Sequence, residues 1–401
     1  MQASEVPTCS GSPVALAEGA SRAGQPRTWR YCARCVLPDS RPGLTLDSSG
    51  VCTACREHAR RDREIDWSAR ADALRVLFDE ARRRSSGYDC IVPVSGGKDS
   101  TWQVVTCLQH GLRVLAVTWR TPGRTTLGQR NLDNLRRLGV DHIDYSIDER
   151  VERVFTRLAL RRTGSTGVPM HMAVYAIPLR LAVALRVPLV VWGENPHAEY
   201  GRTDRSPGAD RLDPQWGRRH GIQQGTGPED WVGLELSERD LAAYLPPSAA
   251  EFEASGVNSL FLGEYLRWDP EMSRRVAADH GFEARREGPR VGLYEFADVD
   301  CAFISVHHHF KWLKFGFTRL FDNLSLEIRH GRLTRAEAVE RIRASGDQTP
   351  HADIAALCEF IEIDRAEFRA IEERFRNRSI WSCQDGVWRI PGFLVPDWTW
   401  R

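Results

Sequence analysis

The chain has 401 residues, 42% of them hydrophobic and 27% charged. That is the balance of an ordinary globular protein of two or three domains, at roughly 100–200 residues each. Its 55 basic and 54 acidic side chains leave a formal charge of +1, so net charge gives no reason to expect a nucleic-acid or membrane partner. The richest apolar stretch, Ala173 to Gly193, is broken by Pro178, Arg180, Arg186 and Pro188, and reads as a buried helix followed by a strand. Met1 to Gln25 is rich in Ala, Gly, Ser and Pro and lacks a signal peptide's apolar region. The expected compartment is the cytoplasm, where thiols stay reduced.

Residues 1–28 read as a flexible tail. The first motif follows: Cys32-Ala-Arg-Cys35, sixteen residues, then Cys52-Thr-Ala-Cys55. Two C-x-x-C pairs at this spacing are a zinc signature, and four thiolates make a closed, structural tetrahedral shell. Pro38, Pro42, Gly43 and Gly50 supply turns between the pairs. A zinc ribbon over 29–62 is expected, with too few apolar residues to fold without its metal. The remaining cysteines show no pairing pattern.

Asp66 to Arg84 has helical periodicity and leads to an apolar strand, Tyr88 to Val94. Ser95-Gly96-Gly97-Lys98-Asp99-Ser100 comes next, then a helix over Thr101 to Leu108. Strand, glycine loop and helix are the context that makes a phosphate site credible. The glycines let backbone N–H groups turn inward, and a helix N-terminus adds positive potential. Lys98 adds a compact charge, Ser95 and Ser100 add hydroxyl donors, and Asp99 is placed to hold Mg²⁺. Lysine is rare in this chain, at Lys98, Lys311 and Lys314 only, and an ammonium acts as a point charge where a guanidinium is a flat fork.

Further strands are expected at 113–119, 141–146 and 187–192, with helices at 126–138 and 172–185. This alternation predicts a doubly wound parallel α/β sheet with its ligands beyond the strands' carboxyl ends. Two such ends are Thr118-Trp119-Arg120 and Gly193-Glu194-Asn195-Pro196. Residues 202–250 read as loops or an insertion, in which Trp216, Trp231 and Tyr244 either line a sugar site or, as lone aromatics more often do, pack. Val306 to Phe315 holds a histidine run with Lys311 and Lys314 on one helical face, read as either a diphosphate-binding face or a solvated helix. Thr334-x-x-Glu337 and Asp364-x-x-Glu367 are capping boxes opening helices, so the chain is mainly helical past 235.

Ser95 to Ser100 lacks the four-residue gap of the Walker A loop. It resembles the PP-loop of the ATP pyrophosphatase superfamily, which implies cleavage of ATP between the α and β phosphates. Other segments narrow the resemblance: Cys32-x-x-Cys-Val-Leu-Pro-Asp-x-Arg-Pro-Gly43, Trp192-Gly-Glu-Asn-Pro-x-x-Glu-Tyr-Gly201, Trp268-Asp-Pro270, His308-x-x-Lys-x-x-Lys-Phe-Gly-Phe317, Arg319-x-x-Asp322 and Ser325 to Arg335. Together they resemble the N-acetyl sugar amidotransferases, which turn acetamido into acetamidino groups in surface polysaccharide and nonulosonic acid synthesis. Met170 and Met172 flank His171 where that family usually has cysteines.

The resemblance implies that Ser95, Gly96, Gly97, Lys98 and Ser100 hold the phosphates of ATP. Adenine would lie at Thr118 and Trp119, Mg²⁺ on Asp99, and Glu194 and Asn195 would position the acceptor or supply a second metal ligand. Lys98, Asp99, Glu194 and Asn195 carry the chemistry in this reading, Zn²⁺ is structural, and His171 reads as either a base or a satisfied core histidine. The acceptor is an N-acetylated sugar or nucleotide sugar. Ammonia would come from a separate glutaminase resembling the imidazole glycerol phosphate synthase pair. The domains would be the ribbon, an ATP pyrophosphatase domain at 63–235 and a substrate and partner region at 236–401. The competing reading is sulfur transfer to a tRNA or small molecule by the same adenylation. It lacks an evident carrier, because neither Gly164 to Met172 nor Gly193 to Thr203 contains a cysteine.

Overall fold

The computed structural model describes residues 29–193, 211–219, 223–346 and 348–400. At the N-terminal side, isolated antiparallel bridges join Tyr31 to Pro38 and Leu46 to Cys52. Helix α1 (Thr53–Glu64) starts at the last cysteine pair, and α2 (Trp67–Arg84) is capped by the Asp66 carboxylate, which accepts from the Ser68 and Ala69 amides.

The sheet has the strands β1 (Cys90–Pro93), β2 (Val114–Trp119), β3 (Asp141–Tyr145), β4 (Leu189–Trp192) and β5 (Asn258–Phe261). Their order is β3-β2-β1-β4-β5, and every pairing is parallel. The near-continuous apolar runs of β1, β2 and β4 suit strands covered on both faces. Helices α3 (Lys98–Gln109), α4 (Thr126–Arg137), α5 (Glu149–Thr163) and α6 (Gly167–Leu185) make the crossovers. The chain reverses direction across the sheet beside β1, so the crevice lies at the carboxyl ends of β1 and β4.

The expected doubly wound α/β sheet is therefore present. Helix α3 begins at Lys98 rather than Thr101, because Gly97 is its N-cap. Helix α5 was not anticipated; Asp148 caps its start and Gly164, left-handed at φ 55°, ends it. Helix α6 is long and apolar enough to cross a membrane by length and composition. Here Val168, Met172, Ala173 and Ile177 pack with Ile91, Leu115 and Val190 in the main core.

The short helices α7 (Trp216–Arg219) and α8 (Ala249–Ser255) precede β5. Strand β5 carries the sheet beyond the boundary expected at 235. Trp216 and Trp231 pack in the sheet's core, both 0% exposed, and Tyr244, 1% exposed, packs there too while lining a small cavity with Trp119 and Cys301. Their aromatic surface is worth more against Phe155 and Phe261 than in solvent.

The rest is mainly helical: α9 (Pro270–Asp279), α10 (Ile304–Phe315), α11 (Arg319–Arg329), α12 (Arg335–Ser345), α13 (His351–Ile361) and α14 (Arg365–Phe375), then a hairpin of β6 (Ser382–Gln384) and β7 (Val387–Arg389). Thr334 and Glu337 form the expected reciprocal box, whereas Asp364 accepts from the Glu367 amide.

The cysteine segment shares one core with this region. Cys32, Val36, Leu37 and Leu44 pack with Phe317, Phe321, Ile342 and Trp381. Arg335 donates to the carbonyls of Cys32 and Cys35 at 3.2 and 3.0 Å, and Ser40 donates to the Phe315 carbonyl at 2.6 Å.

Candidate active site at the glycine loop

Strand β1 ends at Pro93, and Ser95 to Gly97 carry the chain into α3. Gly96 has φ +89°, a left-handed value that disfavours a side chain. Space forbids one as well: a Cβ there would meet the Gly128 carbonyl oxygen at 2.6 Å. The Ser95 amide donates to Ser100 Oγ at 2.9 Å, which closes the loop over the first turn of α3. The loop thus presents a helix N-terminus, a lysine and two hydroxyls at the sheet's switch point, a concentration of donors suited to an anion.

Lys98 is 7% exposed and pairs with the neighbouring Asp99 carboxylate. The other Asp99 oxygen accepts from Trp268 Nε1 at 3.1 Å. The Lys98 ammonium lies 5.8 Å from the ring centres of both Trp268 and Phe296. Trp268, picked out in the sequence without a role, is thereby brought to the loop.

Thr118 and Trp119 stand at the end of β2 and point to opposite faces, as period two requires. Thr118 Oγ1 is 2.8 Å from His142 Nε2, and Trp119 Nε1 donates to Glu152 at 2.6 Å. Glu152 is 5% exposed, and burial pushes its carboxyl up to about 8. At the end of β4, Gly193 packs against Gln103 of α3. Glu194, Asn195 and Glu199 lie outside the described residues.

Asp300 escaped the sequence reading, because nothing in its local pattern separates it from any other loop aspartate. Burial pushes its carboxyl up to about 6, with Asp298 adding to the rise and the nearby Ser95 and Arg124 opposing it. Backbone contacts hold it there. The Thr125 amide donates to the Asp300 carbonyl at 3.0 Å, and a Cβ on Gly128 would lie 2.7 Å from Asp300 Cα. Gly96, Gly128 and Asp300 are thus stacked in direct backbone contact.

Next to Asp300, Cys301 Sγ lies 3.0 Å from Thr121 Oγ1. It lines a small cavity of about 30 Å³ with Trp119, Met170 and His307. A thiol does therefore stand near the strand ends, contributed from outside both residues 164–172 and the loop after β4. Burial pushes it up to about 11, so it is held as a thiol.

His171 is lowered to about 4 by burial, and its Nδ1 has no hydrogen-bond partner. It is a neutral interior imidazole. The histidine run does not converge on a point: His309 Nε2 is 2.6 Å from Glu372 and His307 Nδ1 is 3.5 Å from Ser165 Oγ. The two lysines of that helix are neither solvated nor a free cationic face. Lys311 bonds the buried Asp322 at 2.7 Å, and Lys314 donates to the Thr163 carbonyl at the end of α5. Burial lowers Lys314 to about 8.

The four cysteines do converge. Their sulfurs lie within 4.8 Å of one another, all buried, the one group of three or more such ligands found among the described residues. Amides of Cys35 and Cys52 point at Cys32 Sγ at 3.3 Å each. Hydrogen bonds from the neighbouring thiols, Cys35 first, lower Cys32 strongly. Four soft donors in a closed pocket fit a structural metal ion.

Residues 292–392 match the family described as "LPS biosynthesis protein WbpG-like, C-terminal domain". No curated protein matches the chain. Among solved structures, the chain is similar to NMN synthetase from Francisella tularensis, at 11% identity and TM-score 0.30, over 78% of this chain and 97% of that one. It is also similar to NH3-dependent NAD synthetase from Campylobacter jejuni subsp. jejuni NCTC 11168 in complex with the nitrate ion, at 16% identity and TM-score 0.26, over 48% of this chain and 94% of that one.

Proposed function

We propose that the chain is an ATP-dependent amidotransferase acting on an N-acetylated sugar or nucleotide sugar. The observation that carries this reading is the meeting of two parts. Asp300, inside the segment that matches the lipopolysaccharide-biosynthesis family, packs its backbone against Gly128, whose carbonyl in turn meets Gly96 of the glycine loop. A sugar-modifying module and an anion-binding loop then form one site.

In the proposed reaction the amide oxygen of the acceptor attacks the α-phosphorus of ATP, and pyrophosphate leaves. Ser95, Ser100 and the loop amides hold the phosphates, and Lys98 offsets charge on the departing pyrophosphate. Asp99 would hold Mg²⁺, which neutralises phosphate charge. The adenylated amide is an imidate with AMP as its leaving group. Ammonia adds to the carbon, AMP departs, and an amidine remains. Glu194 and Asn195 would position the acceptor beyond β4, with adenine at Thr118 and Trp119. A separate glutaminase would supply the ammonia, because ammonium is not a nucleophile. The four cysteines would hold structural zinc, and the enzyme would work in the cytoplasm.

A second reading, sulfur transfer, is favoured by Cys301 at the small cavity beside Thr121. Its raised thiol argues against it. Mass separates the two. Replacing oxygen by NH lowers the acceptor by about one unit, and replacing it by sulfur raises it by about sixteen, on the same activated carbonyl. AMP and pyrophosphate with the first shift support the proposal; ADP, or the second shift, overturns it.

A further inference from the structure

A larger cavity, of about 160 Å³, opens between α10, the β6–β7 hairpin and residues 398–400. Its walls are indoles. Trp312 and Trp381 meet edge to face at 4.9 Å, and Trp400 lies parallel to Trp312 with centres 6.4 Å apart. Trp388 lines the same space.

Two polar groups in this lining are unmatched. His308 is 7% exposed, and neither ring nitrogen has a hydrogen-bond partner. Its nearest ion-pair neighbour is the Asp298 carboxylate, 3.8 Å from Nε2 and beyond bonding distance. The side-chain oxygen of Gln348 is also buried without a partner. Native structures rarely leave such groups unpaired, since each costs about 1–3 kcal/mol.

Burial, with Lys311 and Arg319 nearby, holds His308 well below its usual range. The imidazole is therefore neutral and offers one N–H donor and one bare nitrogen acceptor. The guanidinium groups in the lining are already engaged: Arg319 with Asp298 at 3.3 Å and Arg376 with Glu373 at 2.8 Å. The lining thus calls for an uncharged ligand with a flat apolar face and groups at its edge that both donate and accept. A pyranose has both properties. Its C–H face stacks on an indole, and each hydroxyl gives and takes a hydrogen bond.

We propose that this cavity is a carbohydrate site, taking one neutral hexose ring against the tryptophan wall with its hydroxyls on His308 and Gln348. The volume suits a single ring rather than a chain. His307, the next residue on α10, lines the small cavity beside Trp119, so a bound ring would sit one helix face away from the strand ends. The inference goes beyond the adenylation chemistry and stands on the cavity alone.

The test is a titration of the full chain, without nucleotide, with glucose and with N-acetylglucosamine, read by tryptophan fluorescence. A saturable change is expected, because five indoles line the cavity. His308→Leu and Gln348→Leu should each weaken binding about tenfold, equivalent to roughly 1.4 kcal/mol. His308→Leu should also keep or raise the melting temperature, since it removes an unpaired buried group. No saturable change with either sugar overturns the proposal, as does unaltered affinity in a folded His308→Leu protein. Sugar binding without pyrophosphate release would sink the reaction proposed above and leave this site standing. Pyrophosphate release without sugar binding would do the reverse.

Discussion

Asp300 lies with its backbone against Gly128, whose carbonyl meets Gly96, so the C-terminal region brings a carboxylate to the glycine loop beside Ser95. A negative charge beside the proposed phosphate site needs a reason. Fixing the Ser95 hydroxyl is one, and it gives the first prediction. Asp300→Asn keeps the shape but weakens the acceptor, and should lower pyrophosphate release about tenfold or more with little change in melting temperature. In the unaltered protein the rate should rise as pH climbs through about 6, where Asp300 ionises. The Asn variant should lack that limb. A variant with full activity and the same pH profile would remove Asp300 from the site.

The stacking of Gly96, Gly128 and Asp300 predicts a steep cost for adding a methyl group. Gly96→Ala places a side chain at φ +89° and 2.6 Å from a carbonyl oxygen. A loss of about 2–4 kcal/mol is expected, from left-handed strain and overpacking together. Gly87 has nothing within 4 Å of its Cβ position and no positive φ, so Gly87→Ala should change stability by less than about 0.5 kcal/mol. Urea unfolding of the pair checks this; equal midpoints would refute it.

Glu152 predicts how stability depends on pH. Its folded value, about 8, stands above its unfolded value near 4.5. The protonated carboxyl therefore favours folding. That contribution is whole below about pH 4.5 and is lost as pH rises through about 8. Glu152→Gln keeps an acceptor for Trp119 and cannot ionise. Its stability curve should be flatter across that window, by an amount on the order of a few kcal/mol. Parallel curves for the two proteins would count against a buried neutral Glu152.

The cysteine cluster predicts one zinc ion per chain. Because its residues share a core with α11 and α12, removing the metal should loosen those helices too. A zinc chelator, or Cys52→Ser, should lower the melting temperature and speed amide exchange in Arg319–Ser345. Metal analysis showing no zinc, or exchange altered only in residues 29–62, would contradict this.

The sheet and its loop were legible because their signals are local. Apolar runs mark β1, β2 and β4, and paired glycines mark the turn between β1 and α3. The cysteine pairs announced their own convergence by spacing. Asp300 and Cys301 were not legible, since only the tertiary path of the chain lays them across the start of α4. Trp216, Trp231 and Tyr244 stayed open between two readings for a related reason: an aromatic in a Gly- and Pro-rich stretch looks the same whether it faces a ligand or a core. Lys311 and Lys314 fell on one helical face as expected, but their partners, Asp322 and the end of α5, come from other elements.

The core joining Cys32–Cys55 to residues from Phe317 onward has a consequence for synthesis. The ribosome releases these four thiols long before it makes Phe321, Ile342 and Trp381, which later cover them. Throughout elongation the early segment has no cover from those side chains, and only a metal ion on the four cysteines, if it is bound by then, could hold it. A metal-starved or oxidising cell would damage this protein chiefly while it is being made, and the finished molecule would be the tougher form.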